Sequence, residues 1–407
     1  MKTRAFKTRN ATQLVFSAIG LGTAPLGEIY EILDEKTSIA TVEQAFASGV
    51  RIFDTSPHYG NGIAESRMGA GLRRARRSDV IVSTKIGRVM DPFAKPPPRN
   101  KDVYSPGFVG GYGHAPRFDY SYDGTMRSVE QSLLRTGLSA IDILLIHDCD
   151  VWTHGAEAGR RFKEAMDGAY RALDKLRSEK TVAAIGFGIN EADTCVKFAR
   201  AGDFDVAMMA GRYSLLIQNG LAEFLPLALE KKMGVMLAGV FNSGILATGA
   251  VPGAKFEYAA APPEIMERVR KIEAICATHG TSIRRAALQF AMMHPAVVSV
   301  VLGAVKPAEI EANAADAEHA VPPALWRDLK SAGRSSRPLA ELAPCRCAAS
   351  HRGLQTAWRR LTASHTRLHP HGTTLHLSTV YGATSIDRHL VFDNNTSPRA
   401  RYHGDIA

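Results

Sequence analysis

Eight short runs of apolar residues recur along the first three quarters of the chain, separated mostly by longer amphipathic stretches. The strand-like runs lie at 18–22, 51–54, 80–85, 141–147, 182–188, 206–210, 234–238 and 297–302. Helix-like stretches, with apolar residues three and four positions apart, lie at 36–48, 122–135, 160–178, 221–231, 264–279 and 307–317. Because strands that alternate with helices pair in parallel, this pattern predicts an α/β fold, a single-domain (β/α)8 TIM barrel over residues 12–330.

A doubly wound sheet of six strands is the competing layout for alternating strands and helices. It needs a glycine-rich turn after the first strand that leads directly into a helix. The turn here reads GLGTAP at residues 20–25, and no helical pattern follows its proline. The barrel is therefore favoured.

Four polar residues stand where strand-like runs give way to loops. Asp54 ends the second run, Tyr59 follows shortly after it, Lys85 ends the third run and His147 ends the fourth. The carboxyl ends of the strands of a β/α barrel meet at one face, where such folds place their sites. We therefore expect the four side chains to line one pocket.

The chemistry of these four groups suits proton transfer beside a carbonyl or an alcohol. A phenol titrates near pH 10, at about 10 in model peptides, and we expect the Lys85 ammonium to lower the Tyr59 pKa while Asp54 keeps that ammonium charged. His147 would orient the substrate oxygen toward Tyr59 or share its proton. The set contains no redox agent, so hydride must pass to or from a cofactor.

The segments that hold these residues resemble the signature segments of the aldo-keto reductases. They read FDTSPHYGNG at 53–62, ESRMG at 65–69, STK at 83–85 and LLIHD at 144–148. The resemblance covers roughly residues 12–325. It implies a (β/α)8 barrel that binds a nicotinamide cofactor, and it implies catalytic roles for Asp54, Tyr59, Lys85 and His147.

Three further segments are similar to one branch of that family. They read FDYSYDGTMRSVE at 118–130, AGRYSLL at 210–216 and FNSGIL at 241–246. The branch contains D-threo-aldose 1-dehydrogenases, L-fucose or galactose dehydrogenases and a pyridoxal 4-dehydrogenase. The resemblance implies oxidation of the hemiacetal (C1) hydroxyl of an aldose, or of pyridoxal, to a lactone. His58 and Trp152 are candidates for the substrate pocket, with surface packing as the alternative, and the sequence leaves sugar and pyridoxal both open.

The family resemblance also implies where NAD or NADP binds. The last strand of the family leads into a loop and a helix N-terminus that hold the adenosine phosphates, because unpaired amides point outward there. Where NADPH-preferring members have basic side chains, this chain has Glu309 and Gly303, which favours NAD, although Lys306 opposes that reading. The implied cofactor residues are Gly22, Thr23, Asp54, Asn190, Phe241, Asn242, Ser243, Gly303, Ala304, Lys306, Glu309 and Asn313.

Some of these positions depart from the family pattern. Asn190 matches the asparagine that binds the nicotinamide carboxamide, but Ile189 replaces a frequent serine and Ala210 replaces a glutamine. Phe241 would supply the aromatic face usually given by tyrosine, with packing at the barrel rim as the alternative. Asn313 matches the asparagine that contacts adenine.

Composition and charge argue against membrane insertion, secretion and nucleic-acid binding. The chain is 45% hydrophobic, yet no apolar run approaches the length of about 20 residues that a membrane span requires. The basic residues 1–10 lack the apolar core of a secretion signal, and five scattered cysteines suit a reducing compartment, so we expect a cytoplasmic protein. The net charge of +10 includes an arginine cluster at 73–77 without interleaved aromatic residues, which favours a solvated face over nucleic-acid binding.

The segment 341–407 does not resemble the rest of the chain. It is rich in arginine and histidine, contains no lysine and shows no sustained periodicity. We expect a disordered extension or sequence that was never under selection. His365, His369 and His371 could bind a metal, but no second ligand cluster accompanies them, so no metal site is predicted.

The sequence leaves two other functions open. The same four residues would serve an NADPH-dependent reductase of small aldehydes. A barrel could also serve as a non-catalytic regulatory subunit, like the aldo-keto-type subunits of potassium channels, since fold alone does not imply catalysis. The complete set of phenol, ammonium, carboxylate and imidazole argues against the second of these.

Overall fold

Eight parallel strands close into a barrel in which each strand pairs with its neighbours in the chain. The computed structural model describes residues 1–95 and 108–334, and the structural statements below refer to these residues. The last barrel strand pairs with the first, with Gly303 opposite Gly22, and this pairing closes the sheet. The strands are β1 (Ile19–Gly22), β2 (Ile52–Asp54), β3 (Ile81–Ile86), β4 (Ile143–His147), β5 (Ala184–Ile189), β6 (Val206–Ala210), β7 (Gly234–Ala238) and β8 (Val297–Gly303).

The prediction of a TIM barrel is confirmed, and all eight strand-like runs are barrel strands. The ends shift by one or two residues. The largest difference is at β4 and β5, which begin two residues later than their apolar runs because the first residues of those runs belong to the preceding turns. Apolar content alone does not mark where backbone pairing begins.

Helices surround the barrel, and most of them bury apolar residues against it. They are α1 (Glu35–Ala47), α2 (Ile63–Leu72), α3 (Tyr122–Thr136), α4 (Val151–His154), α5 (Ala158–Glu164), α6 (Arg171–Ser178), α7 (Ala192–Ala201), α8 (Phe224–Glu230), α9 (Ile245–Thr248), α10 (Pro263–Thr278), α11 (Ile283–Ala291), α12 (Pro307–Glu318) and α13 (Pro323–Arg334). A π-helical segment, Ala165–Tyr170, joins α5 to α6. The predicted stretch 160–178 is therefore one helical rod with a local π turn.

Three antiparallel hairpins were not predicted. The first pairs Thr3–Lys7 with Gln13–Ser17 and buries Phe16 among apolar residues from the first positions of the barrel strands, so it closes the amino-terminal end of the barrel. The second pairs Arg88–Asp91 with Ala115–Phe118, and the third pairs Lys255–Phe256 with Ala259–Ala260. The last two lie in loops after β3 and β7 respectively, on the side that carries the candidate site.

The described part of the chain also bears on partners and metals. None of its helices combines the length and the apolar character needed to cross a membrane. Across residues 1–95 and 108–334, His, Cys, Asp and Glu side chains do not gather in groups of three that could hold a metal ion. The predicted tail, 341–407, with its three candidate histidines, lies outside the described residues.

Gly69 provides a test of the packing between α2 and α3. A Cβ atom added at Gly69 would lie 1.8 Å from the backbone oxygen of Thr136, whereas a Cβ at the exposed Gly159 in α5 would meet nothing within 4 Å. Alanine in a helix is otherwise favoured over glycine by roughly 0.5–1 kcal/mol. We expect Gly69→Ala to lower the free energy of unfolding by about 1–3 kcal/mol through overpacking, and Gly159→Ala to leave it unchanged or slightly raised.

Thermal and urea unfolding of both variants beside the parent protein would measure this difference. If Gly69→Ala proved as stable as Gly159→Ala, the close approach of the two helices would be wrong.

Candidate active site

A buried ion pair occupies the carboxyl end of β2 and β3. Lys85 Nζ lies 2.6 Å from Asp54 Oδ2 and donates a second hydrogen bond of 2.8 Å to the backbone oxygen of Thr55. Ser83 Oγ donates to Asp54 Oδ1 at 2.9 Å. Both charged side chains are almost completely excluded from solvent, with exposures of 1% and 2%. Because β2 pairs with β3, the two charged side chains lie together, as expected from their positions at strand ends.

Tyr59 reaches the same place from the short 3-10 turn Tyr59–Gly62 that follows β2. This turn contains three residues in the left-handed region, Gly60, Asn61 and Gly62, which fold the chain tightly directly after the tyrosine. Lys85 Nζ lies 4.7 Å from the centre of the Tyr59 ring, and the ring of His147 is edge-on to it at a centroid distance of 5.9 Å. The structure thus brings the four candidates Asp54, Tyr59, Lys85 and His147 to one pocket.

The net shift of the Tyr59 pKa is upward. The pKa is raised well above its ordinary value, first by burial and then by the carboxylates of Asp54 and Asp148. Arg88 opposes this shift, and the Lys85 ammonium contacts the face of the ring. Desolvation of the phenolate is the largest effect, so the positive charges nearby do not bring the Tyr59 pKa below its ordinary value. That Lys85 by itself lowers this pKa stays a prediction.

Burial also favours the uncharged form of the other titrating groups in the pocket. It raises the pKa of Asp54, although the nearby Lys85 lowers it in part. It lowers the pKa of His147 well below its ordinary value, and the positive charges of Lys85 and Arg88 add to that shift. His147 is therefore neutral near pH 7, and its neighbours determine which ring nitrogen carries the proton.

Three neighbours of His147 were missed in the sequence. Ser56 Oγ lies 3.1 Å from Nδ1 of the imidazole, and Arg88 Nη1 lies 3.4 Å from the same nitrogen. Asp148 contacts Arg88 Nη1 at 2.9 Å through one oxygen and lies 3.3 Å from His147 Nε2 through the other. Asp148 could have been found as a charge directly after a candidate catalytic residue, but Arg88 lies on a hairpin that no periodicity indicated.

A cleft lies at the carboxyl ends of β5, β6 and β7, on the face of the barrel that carries these residues. Among the predicted site residues, Asn190, Asn242, Ser243 and Trp152 line it. The other lining residues come from the ends of β6 and β7 and from the third hairpin; they are Ala210, Gly211, Arg212, Gly239, Glu257 and Tyr258. An ion pair between Arg212 and Glu257 holds this hairpin in place. No pattern in the sequence indicated that hairpin.

The other predicted cofactor residues differ in their placement. Phe241 packs against the apolar core, which favours the structural reading of that residue. Gly22, Thr23 and Asp54 lie together at the ends of β1 and β2, where Thr23 N donates to the backbone oxygen of Asp54 at 2.9 Å. His58 contacts Phe108 edge-on at 5.2 Å and His147 at 6.4 Å, so it borders the pocket, whereas Trp152 is 52% exposed at its rim.

The last group of predicted cofactor residues lies between β8 and α12. Gly303 ends β8, Ala304 is buried, and Lys306 precedes the first turn of the helix and is exposed. Glu309 Oε2 accepts a hydrogen bond of 2.8 Å from the backbone nitrogen of Val305, which fixes its carboxylate over this turn. Asn313 is buried one turn further along α12.

The polar groups of the mouth suit a nicotinamide cofactor. Thr23 Oγ1, Thr55 Oγ1 and His58 Nδ1 are buried and have no hydrogen-bond partner within the described part of the chain. Buried polar atoms are normally paired, so such a cluster is typical of a surface that a polar ligand completes. The amides before α12 add an anion-binding end to the same face. The residues therefore fit the group that the sequence resemblance implied.

Comparison with known proteins agrees with this site. The profile of the Aldo/keto reductase family matches residues 18–334. A β/α barrel with this constellation at its carboxyl face defines an NAD(P)-dependent oxidoreductase, and the chain belongs to the aldo/keto reductase family.

Two relatives and one solved structure show how close the likeness is. The chain is 38% identical over 327 residues to pyridoxal 4-dehydrogenase of Microbacterium luteolum, covering 79% of this chain and 95% of that protein. It is 35% identical over 328 residues to D-threo-aldose 1-dehydrogenase of a Pseudomonas species, with the same coverage of 79% and 95%. The glycerol dehydrogenase structure from Gluconobacter oxydans shares the fold, with a TM-score of 0.64, 18% identity, and coverage of 84% of this chain and 99% of that one. The resemblance to the family and to its branch is confirmed.

The ion pair at the centre of the site can be tested through stability. Lys85→Met leaves the buried Asp54 carboxylate without its cationic partner, and breaking a buried pair on one side costs about 3–5 kcal/mol. We expect the double variant Asp54→Asn/Lys85→Met to be more stable than Lys85→Met alone, because the uncompensated charge is gone.

Urea unfolding of the two variants and the parent at pH 7 measures both differences. Equal stability of the single and the double variant would contradict a buried, ionised pair.

Proposed function

We propose that this enzyme oxidises the hemiacetal (C1) hydroxyl of an aldose such as L-fucose or another D-threo-aldose, or that of pyridoxal, to a lactone, with NAD preferred over NADP. The observation that carries the proposal is the set of Asp54, Lys85, Tyr59 and His147 at one face of the barrel. The names of the two relatives at 38% and 35% identity support the substrate class.

The four side chains divide the work of the reaction by their chemistry. When bound, the nicotinamide ring supplies the acceptor for hydride. Tyr59 takes the proton of the reacting hydroxyl, and the closeness of its ring to Lys85 and His147 supports this role. His147 orients the substrate oxygen. Asp54 holds the Lys85 ammonium in place through the 2.6 Å contact, which keeps a positive charge next to the phenolate that forms.

The raised pKa of Tyr59 sets how this reaction depends on pH. The phenol keeps its proton at neutral pH, so the form that can accept a proton from the substrate is a minor one. Its population grows as pH rises toward the raised pKa. Oxidation is therefore expected to become faster with rising pH over the whole neutral and mildly alkaline range.

The same observation favours a second candidate function, an NADPH-dependent reductase of small aldehydes. A phenol that retains its proton is suited to donate it to a carbonyl oxygen, which is the step that reduction requires. Both functions use the same residues, because one reaction is the reverse of the other. The two differ in which cofactor and which direction the protein favours.

The preference for NAD follows from charge at the adenosine end of the site. The 2′-phosphate of NADP would approach the first turn of α12, where the Glu309 carboxylate is held by Val305 N. A fixed carboxylate repels a phosphate and can accept a hydrogen bond from a ribose hydroxyl. Gly303 brings no cation, and Lys306 is the one exposed ammonium among the predicted cofactor residues near this turn.

Initial rates would test the reaction and the role of Tyr59 together. Purified protein is assayed for NAD and NADP reduction with L-fucose, D-arabinose, D-galactose and pyridoxal. We expect turnover of at least one of them with NAD, and a loss of about 10²–10⁴-fold in kcat for Tyr59→Phe, because the proton acceptor is gone. Cofactor binding, followed by fluorescence titration, should be retained in that variant.

Three outcomes would count against the proposal. Near-normal turnover by Tyr59→Phe would remove the assigned proton acceptor. Activity only with NADPH and aldehydes would favour the reductase. Cofactor binding with no turnover of any substrate in either direction would favour a regulatory barrel.

The cofactor preference has a separate test at residue 309. We expect Glu309→Lys to raise kcat/KM for NADP about tenfold or more relative to NAD, because a cation replaces the anion that faces the 2′-phosphate. Glu309→Gln serves as the matched control, since it removes the charge without adding one, and it should shift the ratio by less. No change in the NADP-to-NAD ratio in either variant would rule out Glu309 as the discriminating group.

A further inference from the structure

Arg88 is a buried cation in the candidate active site, and the proposed reaction gives it no role. It begins the hairpin Arg88–Asp91/Ala115–Phe118 and pairs directly with Phe118 across it. The Phe118 ring lies under the guanidinium, with Arg88 Cζ 4.4 Å from the ring centre. Asp148 holds the opposite side at 2.9 Å, and Arg88 is only 6% exposed. The guanidinium is therefore fixed in orientation before any ligand binds.

The fixed guanidinium faces Nδ1 of His147 at 3.4 Å. A guanidinium nitrogen can only donate, so the imidazole nitrogen opposite it must accept and cannot carry a proton. Ser56 agrees with this assignment. Its Oγ accepts from His58 N at 3.1 Å, which leaves the hydroxyl proton available for His147 Nδ1 at 3.1 Å. Two donors thus converge on one nitrogen.

The other imidazole nitrogen lies near a negative charge. His147 Nε2 is 3.3 Å from Asp148 Oδ1, and an ionised carboxylate only accepts. This proximity is compatible with a proton on Nε2. The tautomer is assigned from the two donors at Nδ1.

We propose that Arg88 is a positioning residue that fixes His147 as the neutral tautomer with its proton on Nε2. Nε2 then donates to the substrate oxygen, which leaves the hydroxyl proton of the substrate directed to Tyr59. In the other tautomer Nε2 would accept that proton and compete with Tyr59. The catalytic consequence rests on the proposed function, whereas the tautomer itself is a property of the free protein.

The charge around His147 matches this assignment. Loss of Arg88 would remove one of the two positive charges that disfavour a protonated imidazole, and Lys85 would remain. It would also leave Ser56, whose hydroxyl can either donate or accept, as the partner of Nδ1. The titrating and charged side chains that face or adjoin His147 in the described structure are Lys85, Arg88, Asp148, His58 and Tyr59.

The tautomer can be measured directly by ¹⁵N NMR of the full chain labelled at histidine. The His147 signals are identified by their absence in His147→Gln. In the parent protein we expect Nδ1 to have the chemical shift of an unprotonated nitrogen and Nε2 that of a protonated one. Arg88→Met should show Nδ1 at least partly protonated, whereas Arg88→Lys, which keeps a cationic donor, and Ser56→Ala, which keeps Arg88, should retain the parent pattern.

Kinetics supplies the second readout. We expect Arg88→Met to lower kcat about tenfold with a smaller change in KM for the cofactor, and Arg88→Lys to recover part of that loss. A proton on Nδ1 in the parent protein, or the parent pattern retained in Arg88→Met, would overturn the proposal. Should Arg88→Met fail to fold, the parent spectrum and the comparison of Arg88→Lys with Ser56→Ala still decide it. Absence of turnover with the expected tautomer present would count against the proposed function alone.

Discussion

Closure of the barrel through the pairing of β8 with β1 is the constraint on which the rest of the structure depends. It places Gly303 beside Gly22, and so joins the loop before α12 to the first turn after β1. It also leaves the sheet with no edge, so every strand end at the carboxyl face points into one shared mouth. The predicted cofactor residues after the first and last barrel strands lie together only because the sheet closes.

The mouth of this barrel buries several charged side chains. Asp54 and Lys85 offset the cost of leaving water through their mutual contact and through hydrogen bonds from Ser83 and to Thr55. The same loss of water acts on their neighbours. It raises the pKa of Tyr59 and lowers that of His147, so both are neutral near pH 7. Near pH 7 the free protein therefore holds a neutral phenol and a neutral imidazole in this pocket.

The predictions made from sequence succeeded where a signal is local. Apolar runs located all eight strands, and polar residues at or shortly after the ends of those runs were the four candidates that the structure brings together. They failed where the answer depends on surroundings. The hairpin that carries Arg88 has no strong periodicity, and its partner strand begins at Ala115, beyond a long intervening segment. The direction of the Tyr59 pKa shift depends on burial, which a list of nearby charges does not report.

The sequence by itself determined the barrel, the family and the residue types available at the carboxyl face, because strand periodicity and strand-end chemistry are encoded within short segments. Only the tertiary structure decided which groups surround His147. Arg88, Asp148 and Ser56 come from three different loops, and they converge on one imidazole only after the barrel has closed. Desolvation and hydrogen-bond direction are properties of that assembled pocket, so no single segment of the chain contains them.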